Sequence, residues 1–190
     1  MTLFEYMSVA ISLILALTFA EGLRGLRNAL EPARRYWIHV AWLLLKLYNP
    51  VMYWWLTWSY KDIPEYWNLG TYTLALVNPS IMYLQVYSLV SDRPYKVTSW
   101  REHFFRHRKW FFGLNILLGV LAIFVFSNLL TPAPPNFGLM IGIGLITALS
   151  VAGFLSDNPR LHAVIIAFAA GFQIFYLVGL AFGPAPLAVN

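Results

Sequence analysis

Long apolar runs, broken at near-regular intervals by short polar segments that carry proline, dominate this 190-residue chain. Crossing a bilayer takes about 20 residues of helix, and only helices or closed barrels satisfy every backbone group in hydrocarbon. The runs are too long and continuous for the alternating strands of a barrel. The pattern therefore predicts an all-α polytopic membrane helical bundle with six transmembrane helices, near residues 5–27, 36–59, 69–90, 109–130, 138–156 and 160–182. Helix stoppers fall between them: Pro32, Pro64, Pro94, the TPAPPN run at 131–136 and DNP at 157–159. Ser99 followed by Glu102 is a capping-box pattern. It predicts that helix 4 begins early, with a cytoplasmic extension from residue 99 and a total length of roughly 45 Å. No link exceeds about 18 residues, so the expectation is a single transmembrane domain over 1–190.

Composition agrees with the pattern. Hydrophobic residues make up 59% of the chain and charged residues 11%, where a soluble domain carries about 25% charged. The formal charge of +5 raises nucleic acid as a partner, but its distribution follows membrane topology instead. Arg24, Arg27, Arg34, Arg35, Arg93, Lys96, Arg101, Arg106, Arg108, Lys109 and Arg160 fall at the odd-numbered links or their flanks, whereas Lys61 alone falls on the other side. Eleven against one predicts that both termini lie outside the cytoplasm. Aromatic belts mark the same interfaces: Tyr36, Trp37, Trp100 and Trp110 on the basic side, and Trp54, Trp55, Trp58, Tyr60, Tyr66 and Trp67 on the other. The N-terminal apolar run has Glu5 and no Lys or Arg ahead of it, so it reads as a retained helix rather than a signal peptide. Cysteine is absent, which removes disulfides and thiolate metal sites.

Few polar groups lie within the spans: Glu21, Lys46, Asn49, Asn78, Gln85, Asn115 and Gln173, with scattered Ser and Thr. Charge in a span is costly and marks a site, a tie or a side chain that snorkels. Helices 1 and 2 run antiparallel, so Glu21 and Lys46 form a candidate pair. Two Asn-Pro dipeptides, at 49–50 and 78–79, sit near the middle of adjacent spans. Pro50 cannot donate to the carbonyl of Lys46, nor Pro79 to that of Ala75, and a freed carbonyl in hydrocarbon needs protein, water or a cavity. Asn49 and Tyr53 share a helix face with Lys46, as Gln85 does with Asn78. Glu21, Lys46, Asn49, Tyr53, Asn78 and Gln85 are thus candidates for a polar cavity, with interhelical ties as the competing role.

Helix 4 opens with SWREHFFRHRKWFF. Its Arg101, Arg106, Arg108 and Lys109 suit anionic lipid headgroups at the cytoplasmic face. His103 and His107 have i,i+4 spacing that two metal ligands could use, yet a basic neighbourhood repels a cation and polar histidines at a wet interface account for them. Helix 5 carries Gly138, Gly142, Gly144, Ala148 and Ala152, and helix 6 carries Ala163, Ala167 and Gly171. Such small-residue ladders suit close packing within the chain or between copies, so a homo-oligomer or membrane partner through helices 5 and 6 is expected.

FEYMSVAISLILALTFAEGLRGL, RRYWIHVAWLLL with the Trp-rich helix end after it, and WREHFFRHRKWFF together resemble an uncharacterised family of small bacterial polytopic inner-membrane proteins. The likeness covers most of residues 4–125. It implies a bacterial plasma membrane and carries no activity or site residue. Three classes of function stay open. Transport or conduction of a small solute or ion would use the polar group on helices 1–3. A non-catalytic scaffold or partner subunit would use helices 5 and 6. A membrane enzyme acting on lipid or quinone would draw on Glu21, His39, His103 and His107, with haem between His39 and His162 a further variant. The scarcity of carboxylates and histidines favours a non-enzymatic role with no cofactor.

Overall fold

The computed structural model describes residues 3–58, 61, 67–128 and 137–182. Among them are six α-helices: α1 (Leu3–Ala29), α2 (Trp37–Thr57), α3 (Leu69–Leu89), α4 (Trp100–Asn128), α5 (Phe137–Leu155) and α6 (Pro159–Phe182). A short 3₁₀ turn, Pro94–Lys96, precedes α4. Pro64, Tyr60, Tyr66, the TPAPPN run and the expected ends of helices 2 and 4 at 59 and 129–130 lie outside the described residues.

Local chemistry sets the helix starts. Asn68 accepts from the amides of Gly70 and Thr71 while Thr71 Oγ1 accepts from the Asn68 amide, a complete capping box on α3. At α4 the Glu102 amide donates to Ser99 Oγ at 3.4 Å and the His103 amide to the Ser99 carbonyl at 3.1 Å. At α6 Asn158 Oδ1 accepts from the Arg160 amide at 2.9 Å, next to Pro159 at the first helical position. α4 has 29 residues, which is about 43 Å of helix.

The protein spans the membrane with several helices. The six helices expected are present, and five of them, α1, α3, α4, α5 and α6, meet the length and apolarity needed to cross. α2 is long enough at 21 residues but is not among the five, and it carries His39, Lys46 and Asn49 with several tryptophans and tyrosines. The contacts resolve into two compact units, Met1–His107 and Arg108–Asn190, with the boundary inside α4.

In the first unit α1, α2 and α3 all pack on one another. The seam of α1 runs along Phe4, Ile11, Leu15, Thr18, Gly22, Gly25 and Ala29, all buried and, from Ile11 on, three or four residues apart. At one end Phe4 meets Trp58 and Trp67, with ring centroids 6.0 and 5.7 Å apart. At the other, basic end the links are tied through Arg34, which donates to the carbonyls of Pro94 (2.7 Å) and Val97 (2.6 Å) and also holds Glu31. Trp100 Nε1 donates to the Asn28 carbonyl at 3.1 Å, and its amide to that of Arg34 at 3.2 Å.

In the second unit α5 and α6 pack together and the remainder of α4 joins them through small residues. A Cβ at Gly119 would collide with Thr147, one at Gly153 would come within 2.7 Å of the Phe112 ring, and one at Gly142 would collide with Phe172. Gly144 and Gly171 have nothing within 4 Å of that position.

Candidate functional site

The tightest helix contacts of the first unit fix which residues share a level. A Cβ on Gly22 would lie 2.6 Å from Leu47 and 3.7 Å from Val86, so α1 presses its backbone into a slot between α2 and α3. One turn on, a Cβ on Gly25 would collide with Val90 and meet Leu43 at 3.4 Å. Leu47 and Val86 therefore lie at the depth of Gly22. Lys46 and Gln85, each one residue removed, lie within about 3 Å of the same depth by helical rise.

Both side chains are withdrawn from the surface. Lys46 is 6% exposed and Gln85 is fully buried. Among the described residues Lys46 is the only buried lysine or arginine. Its ammonium lies 5.8 Å from the Trp42 ring centroid, within cation–π range. Neither the amide nitrogen nor the carbonyl oxygen of Gln85 meets a hydrogen-bond partner among the described residues. A buried amide in that condition is costly.

The other predicted members divide. Tyr53 Oη donates to the Ala75 carbonyl at 2.8 Å, the group that Pro79 cannot serve. The freed carbonyl of α3 is thus closed by a hydroxyl from α2, a structural tie. Asn49 and Asn78 are half-buried on their helices. Glu21 is held by Arg24 one turn along α1, through Nε at 2.9 Å and through a second nitrogen. Arg24 also reaches the Ser91 carbonyl at 3.4 Å and Asp92 at 3.9 Å, and Tyr87 Oη donates to Asp92 at 3.1 Å. Glu21 belongs to this polar knot, whereas the sequence offered it to Lys46.

Comparison with protein-family models, curated proteins and solved structures returns no match. The likeness to small inner-membrane proteins accordingly assigns no family, and what stands is a small, all-helical, membrane-spanning protein.

A second polar group lies at the basic end of the first unit. His39 is fully buried, stacks on Trp100 at 5.0 Å and 18°, and meets His103 edge-on at 5.9 Å. His103 and His107 have ring centroids 4.3 Å apart, and His107 Nδ1 donates to the His103 carbonyl at 2.9 Å. Among the described residues no group of three or more His, Cys, Asp or Glu is arranged to hold a metal ion. These imidazoles pack with Trp100 and Phe104 as an aromatic plug. Of the basic residues on α4, Arg101, Arg106 and Lys109 are exposed, with Arg101 lying 5.6 Å over the Phe105 ring. Arg108 differs: it is 12% exposed and bonds Asp157 at 2.6 Å within the second unit.

Sequence reasoning missed Gly22 and Gly25. Their spacing in AEGLRGLRNA was visible, but the surrounding charges read as a helix end rather than a packing seam. It also missed Arg34, counted as a surface charge although its guanidinium faces two link carbonyls.

Proposed function

We propose that this protein binds a small polar solute or ion between α1, α2 and α3 and carries it across the bilayer. The observation behind this reading is the pairing, at one depth, of a buried lysine with a fully buried glutamine whose amide has no protein partner among the described residues. A core built only for stability replaces such groups with apolar ones at little cost or a gain. Intramembrane ionisable groups mark solute and ion pathways. The proline-interrupted helices on which Lys46 and Asn78 lie are the kind of element that transporters use to expose backbone near a substrate.

The same reading sets the protein in a plasma membrane, a bacterial inner membrane by the resemblance of its sequence, with both termini outside the cytoplasm by the asymmetry of Lys and Arg. Arg101, Arg106 and Lys109 then face anionic headgroups. A second role, as a partner subunit through α5 and α6, draws on one observation: the space beside Gly144 and Gly171 is open.

Reconstitution in liposomes tests the main reading. Wild-type protein is expected to carry flux of at least one member of a panel of small polar solutes and ions, and Lys46→Met to reduce that flux ten-fold or more while unfolding normally. A well-folded Lys46→Met protein with unchanged flux overturns it.

A further inference from the structure

Resting on the solute site between α1, α2 and α3, we propose that its ligand presents a hydrogen-bond donor and an acceptor side by side, as urea or a primary carboxamide does. Gln85 sets this chemistry. Its side chain is fully buried, and neither Nε2 nor Oε1 meets a hydrogen-bond partner among the described residues. Ile81 and Leu89, one turn to either side on α3, are buried and apolar, and Val86 beside it faces Gly22 of α1. The hydroxyls of the same helix close on carbonyls three or four residues earlier: Thr73 on Leu69, Ser80 on Leu76 and Ser88 on Gln85 itself. The Gln85 amide makes no such bond. Leaving both of its ends bare inside protein is less stable than an apolar side chain of similar size.

One edge of a carboxamide carries an N–H donor and a carbonyl acceptor in a single plane. A carboxylate accepts from the N–H but sets its second oxygen against Oε1. Chloride serves the donor alone. An ammonium or a metal cation binds Oε1 and leaves the N–H bare. A ligand with its own N–H beside a C=O pairs both ends at once, through two parallel bonds. Water has a donor and an acceptor as well, but bends both bonds to reach the two atoms, whereas a planar edge meets them straight. A protonated carboxyl group has a matching edge, yet it is scarce at neutral pH. Urea and small primary amides remain.

The chain contains two glutamines, Gln85 and Gln173. Glutamine isotope-labelled at the side-chain nitrogen therefore gives two amide signals, which Gln173→Leu assigns. The full chain in nanodiscs is titrated with urea, acetamide, N,N-dimethylacetamide, acetate and methylammonium. Urea or acetamide is expected to move the Gln85 signal saturably and to leave that of Gln173 in place. N,N-dimethylacetamide, which lacks the donor, is expected to bind at least ten-fold more weakly, as are acetate and methylammonium. In liposomes the better ligand is expected to cross, and Gln85→Leu to slow it at least ten-fold while unfolding no earlier than wild type. N,N-dimethylacetamide, acetate or methylammonium binding as tightly as acetamide overturns the donor–acceptor edge and leaves a solute site standing. A Gln85 signal that responds to none of the five, while another solute still crosses in a Lys46-dependent way, overturns this ligand class alone. If no solute crosses either, the site falls with it. Earlier unfolding of Gln85→Leu would show that the amide holds protein structure, and also overturns the assignment.

Discussion

The two units treat their buried polar side chains in opposite ways. In the second unit each buried polar residue described makes a bond to a carbonyl close by in sequence, although His162 Nδ1 meets no hydrogen-bond partner among the described residues. Asn115 donates to the Phe111 carbonyl at 2.9 Å, Ser150 to that of Ile146 at 2.8 Å, and His162 Nε2 to that of Ser156 at 2.8 Å. These bonds span four to six residues and need no other helix. The first unit has such bonds too, from Thr18 to the Ile14 carbonyl and from Thr57 to that of Tyr53. It also buries Lys46, Gln85 and His39, and Tyr53 crosses from α2 to α3. A polar group closed within one helix turn is a local accommodation to hydrocarbon. Gln85, whose amide meets no partner among the described residues, is not accommodated in this local way.

Substitutions can break this contrast or sharpen it, and packing should give the largest effect. Gly25→Leu forces a side chain onto Val90 and Leu43 and is expected to destabilise the first unit by about 3 kcal/mol, the upper range for overpacking. Gly144→Leu, in open space, is expected to leave unfolding in detergent unchanged. Equal losses at the two positions would erase the distinction between a packed seam and an open face. Arg34→Gln comes next. It strips the Pro94 and Val97 carbonyls of a charged donor, worth about 1.5–3 kcal/mol, and hydrogen exchange at the start of α4 should accelerate.

Tyr53→Phe leaves the Ala75 carbonyl without its hydroxyl. A loss of about 0.6–2 kcal/mol is expected, with faster exchange confined to the Ala75–Pro79 turn. Smallest is Asp157→Asn, whose carboxylate is 73% exposed although it holds Arg108. At most about 1 kcal/mol is at stake in such a pair, and added salt should shrink the difference further. A larger loss would mean that the second unit, too, depends on a polar contact beyond its own turns.

These contrasts also explain what the chain made legible. Helices were readable because length and apolarity must match the bilayer, and Asn68, Ser99 and Asn158 stand where caps belong. The carbonyl freed at Ala75 was readable from Pro79 alone, and Tyr53 was already in the candidate set. That the tyrosine closes the carbonyl depends on how α2 lies against α3, which spacing along one helix does not state. Glu21 shows a different limit. Both Arg24, three residues along the same helix, and Lys46 on α2 are partners the sequence allows, and the short-range bond is the one that forms. The contact of His39 with Trp100 and His103 joins residues about sixty positions apart, and no periodicity within either helix encodes it.

A solute pathway in the first unit requires that its polar interior be open to solute. The chain contains no cysteine, so a single introduced thiol reports on one place. Gln85→Cys and Ile11→Cys compare two fully buried positions of the same unit, one in the polar group and one in the apolar core. In membranes, a small charged methanethiosulfonate reagent is expected to modify Gln85→Cys at least ten-fold faster than Ile11→Cys, and transported solute should slow that reaction. Equal, negligible rates at both positions would show Gln85 to be sealed within protein and would contradict the account.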